Sequence, residues 1–459
     1  MPERILQQAT HFLSGFSTKR EQIPMLIRKI EVKNFKGFAC KTFLLNPKFT
    51  VFIGDNAKGK TSVLDALAIA AGSFLRGIDV AHDEARGINR NEILVKTIDG
   101  QPRPQLPSEI SFCSVVNGKE MESIISVPKI TSTARTTFLG AKNIEKEAEN
   151  MLAKSRAGGG ITFPVLAYHG TGRLWAEHEK KKTEYKKQEE GVAMAYVNCL
   201  SPKSSSKEFL SWYKTYEDEV RKFNQYTDKL FLEAFNECVI SMIPDNHWKE
   251  MAFSFKDDDL VGLFESPEGS DEKLLFNQLS DGYRNIIGMV SDIAYRCIKL
   301  NPHLGRNAIK ETPGIVLIDE IDLHLHPNWQ RRVVSDLKKT FPKIQFIATT
   351  HSPFIVQSLE SDELRNLDKQ DFVEFPADLP LSKVATGIMG VVNIRSDDFD
   401  VRYKKAKEQL SEIGKEENKV LSLEDYQKVS DLLGDVLKKE TNDPVYKAYL
   451  ALKDKDETD

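Results

Sequence analysis

Phe49-Thr-Val-Phe-Ile53-Gly54-Asp55-Asn56-Ala57-Lys58-Gly59-Lys60-Thr61-Ser62 decides the fold. A short apolar run enters a glycine-bounded turn. It leaves on Val63, Leu64, Leu67, Ala70 and Ala71, which recur at helical spacing. Gly54 to Thr61 matches GxxxxGK[ST] in the strand–turn–helix setting that gives the pattern meaning. Glycine lets backbone N–H groups approach phosphate oxygens without an intervening Cβ, and the helix start adds partial positive charge. Gly54, Asp55, Asn56, Ala57, Lys58, Gly59, Lys60, Thr61 and Ser62 therefore read as a nucleotide cradle. Lys60 is expected to reach the β and γ oxygens and the Thr61 hydroxyl to hold Mg²⁺, which makes ATP and Mg²⁺ the expected cofactors.

Working outward, Ile315-Val-Leu-Ile318 is an apolar run of the kind found in parallel sheets, and it ends in Asp319-Glu320. At the carboxyl end of such a strand both side chains can reach a ligand crevice. Asp319 is expected to hold the metal through water and Glu320 to act as general base. A second run, Phe346-Ile-Ala348, ends in Thr349-Thr350-His351-Ser352-Pro353, which puts His351 at the same edge as a γ-phosphate contact. His324 and His326 are two apart with no third ligand in register, which is weak evidence for a metal. Pro327 suits the first turn of a helix carrying Trp329, Val333 and Leu337.

Asn277-Gln-Leu279-Ser280-Asp281-Gly282-Tyr283-Arg284 is a polar turn that opens a helix and offers a hydroxyl and backbone N–H groups. With the other three motifs, and in their order along the chain, it resembles the LSGG signature of ABC-type ATPases. The resemblance implies an α/β ABC-ATPase head, a P-loop NTPase with a mixed sheet flanked by helices. It further implies that Ser280, Asp281 and Gly282 of one copy close on the nucleotide held by another, that Asp322 lies in the loop crossing the dimer seam, and that His351 is the switch histidine. The family's Q-loop glutamine has no clear counterpart, and Tyr168-His-Gly-Thr-Gly-Arg173 sits about where it belongs.

Ile30-Glu-Val-Lys-Asn34-Phe35-Lys36-Gly-Phe38 looks like the first strand of the RecF/SMC branch, while Asp-Glu-x-x-x-His-Leu-His-Pro and Thr-His-Ser-Pro look like OLD-type ATPases. OLD nucleases carry a C-terminal Toprim domain, whereas the residues after His351 read as helices. Tyr-His-Gly-Thr-Gly-Arg-Leu-Trp, Leu-Ser-Asp-Gly-Tyr-Arg-Asn and Asp-Glu-Ile-Asp-Leu-His-Leu-His-Pro together resemble the PtuA family, the ATPases of Septu antiphage systems, with relatives in some retrons. That resemblance implies a homo-oligomer, an HNH endonuclease partner (PtuB-like), DNA met through the complex, and no nuclease site in this chain. The rival reading is a RecF-like repair ATPase that binds DNA directly. A transporter head fits neither the opening strand nor the large helical insertion.

The chain has 459 residues, 40% of them hydrophobic, which is enough for a real core. Its 64 basic and 68 acidic residues give a net charge of −4 and exclude a uniformly basic nucleic-acid coat. No apolar run approaches the roughly 20 residues of a membrane span, and Met1 to Lys19 lacks a secretory-signal layout. Cys40, Cys113, Cys199, Cys238 and Cys297 lie far apart and read as reduced thiols of a cytoplasmic protein.

The expected organisation is an extension over 1–24, an N-terminal core lobe over 25–140 and a largely helical insertion over 141–270. A C-terminal core lobe over 271–395 and a helical, highly charged region over 396–459 complete it. Residues 99–108 read as a turn-rich loop. The balanced charges from Glu177 to Glu190 read as a solvated helix or loop rather than a nucleic-acid tract. Asp397, Asp398 and Asp400 read as the first turn of a helix after Ser396 rather than a metal-binding DxD.

Overall fold

The computed structural model describes residues 25–392 apart from 130–135, 174–189, 203–206, 224–225, 244–247, 266–268 and 369–374, together with 401, 404–405 and 408. The chain divides into two units, Met1–Val384 and Ala385–Asp459, and the strands and helices that build the sheets all belong to the first. The expected extension over 1–24, the charged tract up to residue 189, Ser396, Asp397, Asp398, Asp400 and nearly all of 396–459 lie outside the described residues.

The strands run β1 (Met25–Phe35), β2 (Phe38–Leu44), β3 (Phe49–Ile53), β4 (Val95–Ile98), β5 (Gln101–Pro104), β6 (Ser108–Val116), β7 (Lys119–Val127) and β8 (Val165–His169). They continue with β9 (Trp248–Ser254), β10 (Asp259–Glu265), β11 (Asp271–Leu275), β12 (Gly314–Ile318), β13 (Ile344–Thr349) and β14 (Leu364–Asn366). The principal helices are α1 (Lys60–Leu75), α2 (Lys142–Arg156), α3 (Lys207–Phe223), α4 (Tyr226–Met242), α5 (Asp281–Leu300), α6 (Pro327–Thr340) and α7 (Pro353–Gln357).

β3, β8, β12 and β13 are buried at every position, as continuous apolar runs must be when helices cover both faces of a parallel sheet. They form a wholly parallel five-stranded sheet in the order β14-β3-β13-β12-β8. The carboxyl ends of β3, β12 and β13 thus line one edge, which brings Gly54, Asp319 and Thr350 to the same rim. A second, antiparallel sheet has the order β2-β1-β6-β7. From Ser108 to Cys113 of β6 buried and half-buried residues alternate, the sign of a sheet with one covered face.

α1 touches both sheets and is buried on nearly every side. Its composition explains this: Ala66, Leu67, Ala68, Ile69, Ala70 and Ala71 leave no polar stripe. Gln345 ties the sheets together. It is a buried amide in an otherwise apolar strand. Its oxygen accepts from the Ile27 N–H (2.9 Å), and its nitrogen donates to the carbonyls of Ile27 (2.8 Å) and Asn46 (2.9 Å). The bonds fall where the β1–β6 register shifts between Ile27 and Lys29, so Gln345 holds backbone groups at an irregular point of the ladder.

The span 141–270 holds α2, α3 and α4, but also β8, a member of the parallel sheet, and the strands β9 and β10. β11, β10 and β9 make a third, antiparallel sheet, which leads into α5. The aromatic residues of α3 and α4 pack inward: Trp212 lies 5.4 Å from Phe235 and 5.0 Å from Tyr295 of α5, centroid to centroid. Within 99–108, Gln101–Pro104 pairs with Val95–Ile98 as a hairpin. No described helix is long and apolar enough to cross a membrane.

Candidate nucleotide site

The turn between β3 and α1 depends on its second glycine. Gly59 has φ +93°, and a Cβ there would lie 2.6 Å from the Phe38 ring, so position 59 admits only glycine without a shift. Asp55, Asn56, Ala57 and Lys58 are exposed, and Ser62 is half-buried. No side chain caps the first turn of α1. The Lys60 ammonium is folded back onto the carbonyls of Gly54 (2.7 Å) and Asp55 (3.1 Å). Burial holds the Lys60 amine below its usual range, against the opposing pull of Asp319 and Glu320. Asp368, just after β14, braces the outside of the turn. It accepts the Asp55 N–H at 2.9 Å and pairs with Lys58 at 3.0 Å. Burial raises the Asp368 carboxyl, but the Asp55 N–H and Lys58 outweigh it and the net shift is downward.

Asp319 is buried at the end of β12 and fully engaged. Its Oδ2 accepts from the Thr61 hydroxyl at 2.9 Å and its Oδ1 from the Thr349 hydroxyl at 2.6 Å. Thr349 Oγ1 in turn accepts the Glu320 N–H at 2.8 Å. Glu320 is half-buried and its backbone is left-handed, φ +49°, which is costly for a residue with a Cβ. The Thr61 hydroxyl and the Asp319 carboxylate are hard oxygen donors side by side, a chemistry that fits Mg²⁺.

Asp322 Oδ1 accepts from the Thr350 hydroxyl and, at 3.4 Å, from the His351 N–H. The loop after β12 and the loop after β13 are thereby joined within one chain. The His351 side chain is exposed beside them. Ser352 caps α7, accepting from the N–H groups of Phe354 (3.1 Å) and Ile355 (3.4 Å). His326 Nδ1 caps α6 by accepting the Asn328 N–H at 3.3 Å. No cluster of three or more metal-ligating side chains occurs among the described residues.

Ser280 is the exposed N-cap residue of α5, and Asp281 pairs with Arg284. Gly282 is buried, and a Cβ on it would come within 2.7 Å of the His324 carbonyl. Asn285, one turn further, donates to the Leu323 carbonyl at 2.6 Å. The start of α5 therefore rests on the 320–326 loop of its own chain. The structure brings the P-loop, the acidic strand end and the His351 loop to one rim, with the start of α5 in contact with the acidic loop. Among the described residues no hydrogen bond joins Ser280 or Asp281 to Gly54–Ser62.

Sequence reasoning passed over Thr349, Thr350, Arg173, Asn285 and Asp368. The first four lie inside motifs that drew notice for other residues, whereas nothing in the sequence signals Asp368. The Tyr168–Arg173 segment supplies an arginine that bonds the backbone of Asp319 and Glu320.

An AAA-domain family model matches residues 29–237. A second, for an AAA domain described with the AbiEii toxin of Type IV TA systems, matches residues 208–357. The Retron Vc95 probable ATPase of Vibrio cholerae serotype O1 biovar El Tor is 26% identical over 448 residues, 85% of this chain and 83% of that protein. The Septu protein PtuA of Bacillus mycoides (strain KBAB4) is 29% identical over 76% of this chain, which spans 42% of that protein's length. Among solved structures, the SMC head domain from Thermotoga maritima is similar over 74% of this chain and 94% of that one, at 15% identity and a TM-score of 0.40. The chain is similar to retron ATPases and to Septu PtuA, and AAA-domain models match its residues 29–237 and 208–357.

Proposed function

We propose that this chain binds and hydrolyses ATP as the regulatory subunit of an antiphage defence complex, acting through a partner endonuclease of the HNH class. The observation that carries the hydrolytic part is the contact of Thr61 Oγ1 with Asp319 Oδ2 at 2.9 Å, with Glu320 next in sequence on a backbone turned out of the strand. The Gly54–Ser62 backbone and Lys60 bind the triphosphate. On engaging it, Lys60 exchanges the carbonyls of Gly54 and Asp55 for phosphate oxygens. Thr61 and Asp319 would hold Mg²⁺, which would neutralise phosphate charge when bound. Glu320 accepts the proton of the attacking water, and His351 stabilises the departing γ-phosphoryl group.

Ser280, Asp281 and Gly282 of a second copy complete each site, with Asp322 at the seam. The exposed Ser280 at the start of α5 supports this arrangement. The similarity to retron ATPases and to PtuA supports a defence complex; in this reading DNA is met through the nuclease.

The test is phosphate release by the purified chain with ATP and Mg²⁺, beside Glu320→Gln. The variant should bind ATP as the parent does and lose turnover by about a thousandfold. Equal turnover in the two proteins would remove Glu320 from the chemistry. Co-expression with an adjacent HNH gene should yield one complex. A chain that instead stays alone and binds DNA in a salt-sensitive way is a repair ATPase.

A further inference from the structure

Arg173 is buried, with 6% of its surface exposed, and among the described residues it makes no hydrogen bond to a carboxylate oxygen. Its Nη1 donates to the carbonyls of Gly170 (3.0 Å) and Asp319 (2.8 Å), and its Nη2 to the carbonyl of Glu320 (3.0 Å). Its Nε donates to the Asn285 side-chain oxygen. Asn285, 3% exposed, passes the connection on by donating to the Leu323 carbonyl at 2.6 Å. One planar fork therefore holds the two consecutive carbonyls that flank the Glu320 Cα, the end of the β8 segment, and the signature helix α5.

Two consecutive carbonyls can converge on one guanidinium because Glu320 is left-handed, φ +49°. That conformation persists in a residue with a Cβ only when its surroundings over-determine it. Here Arg173 fixes its carbonyl and Thr349 its N–H. Burying a guanidinium is costly, and a well-packed apolar side chain would serve packing alone as well or better. The fork geometry is what an apolar residue, or a lysine, cannot reproduce.

We propose that Arg173 is a positioning residue. Its guanidinium holds the kink that aims the Glu320 carboxylate, and through Asn285 it makes that aim depend on where α5 lies. The inference rests on the reading of Glu320 as general base and adds its regulation: movement of α5 reaches Glu320 through Asn285 and Arg173 without passing through the nucleotide. A displacement of the base by about 1 Å is enough to lower turnover a hundredfold.

The experiment uses the full chain and measures kcat for ATP separately from affinity for a non-hydrolysable ATP analogue. Arg173→Ala and Arg173→Lys should each lower kcat about a hundredfold and change analogue affinity less than about threefold. Added guanidinium ion should recover part of the loss in Arg173→Ala and none in Arg173→Lys. Asn285→Ala, the milder variant should Arg173→Ala not fold, should lower kcat about tenfold, again with affinity kept. Combining Asn285→Ala with Arg173→Lys should add little, since both break one linkage.

Turnover within about threefold of the parent in the Arg173 variants, or in Asn285→Ala when those do not fold, with Glu320→Gln inactive, overturns the proposal and leaves the base standing. Parallel loss of affinity and turnover overturns it as well. Full activity of Glu320→Gln removes the base and the proposal with it.

Discussion

Thr61 and Asp319 are 258 positions apart in sequence and joined by a 2.9 Å hydrogen bond at the rim of the parallel sheet. One follows β3 and the other ends β12, so the contact exists only because β13 brings both strands into one parallel sheet. Asp319→Ala leaves the hydroxyls of Thr61 and Thr349 without their shared acceptor. Its ATP turnover should fall by about a hundred- to a thousandfold, and raising the Mg²⁺ concentration should restore part of it by mass action. Phosphate release over a magnesium titration is the check, and a Mg²⁺ requirement unchanged from the parent would argue against Asp319 as the metal-side carboxylate.

Gly59→Ala tests the turn itself. The new Cβ meets the Phe38 ring at 2.6 Å on a backbone with φ +93°. The cost should be about 2 kcal/mol in chemical denaturation, together with loss of nucleotide binding. Adding Phe38→Ala should relieve the clash but not the backbone strain, so stability should return only in part.

Gln345→Leu removes two bonds between the two sheets and a third to the β2–β3 loop, and leaves the Ile27 N–H and the carbonyls of Ile27 and Asn46 without these partners in the interior. Urea unfolding should show a loss of about 3 kcal/mol. A change under about 0.5 kcal/mol would mean that water or a register slip satisfies those groups.

Much of the site was legible because its strands are buried on both faces. Phe49–Ile53 and Gly314–Ile318 carry no alternation to misread, and the chemistry sits at their ends. Some of the other strands are hidden by their exposure. β2 and the first half of β7 are mostly exposed, so their polar residues mask the period of two. β9 and β10 lie in a span whose aromatic helices dominated its reading. The role of Arg173 was not legible, since its partners are backbone carbonyls whose placement depends on the φ of Glu320.

His169 gives a pH prediction. Burial lowers its pKa to about 4, with Arg173 and Arg296 acting in the same direction and Asp292 opposing. It is neutral near pH 7, so its 3.6 Å approach to Asp292 is not an ion pair there, and Asp292 is held instead by Arg296 Nε at 2.9 Å. The folded value lies below the unfolded value of 6.5, so the unfolded chain takes up the proton first. Stability should be fully present above pH 6.5 and fall by roughly 3 kcal/mol as pH drops towards 4. Urea titrations across that range are the check. His169→Gln should flatten this part of the slope, and an unchanged slope would assign the acid sensitivity elsewhere.

The central claim is that two copies of this chain build each hydrolytic site, one giving Lys60 and Glu320, the other Ser280. Mixing Lys60→Ala with Ser280→Arg, each inactive alone, tests it most directly. Random pairing places one intact site in half of the dimers, so the mixture should recover about a quarter of the parental ATP turnover. A Ser280→Arg chain that hydrolyses ATP unaided, or a mixture as inert as its parts, would contradict the account.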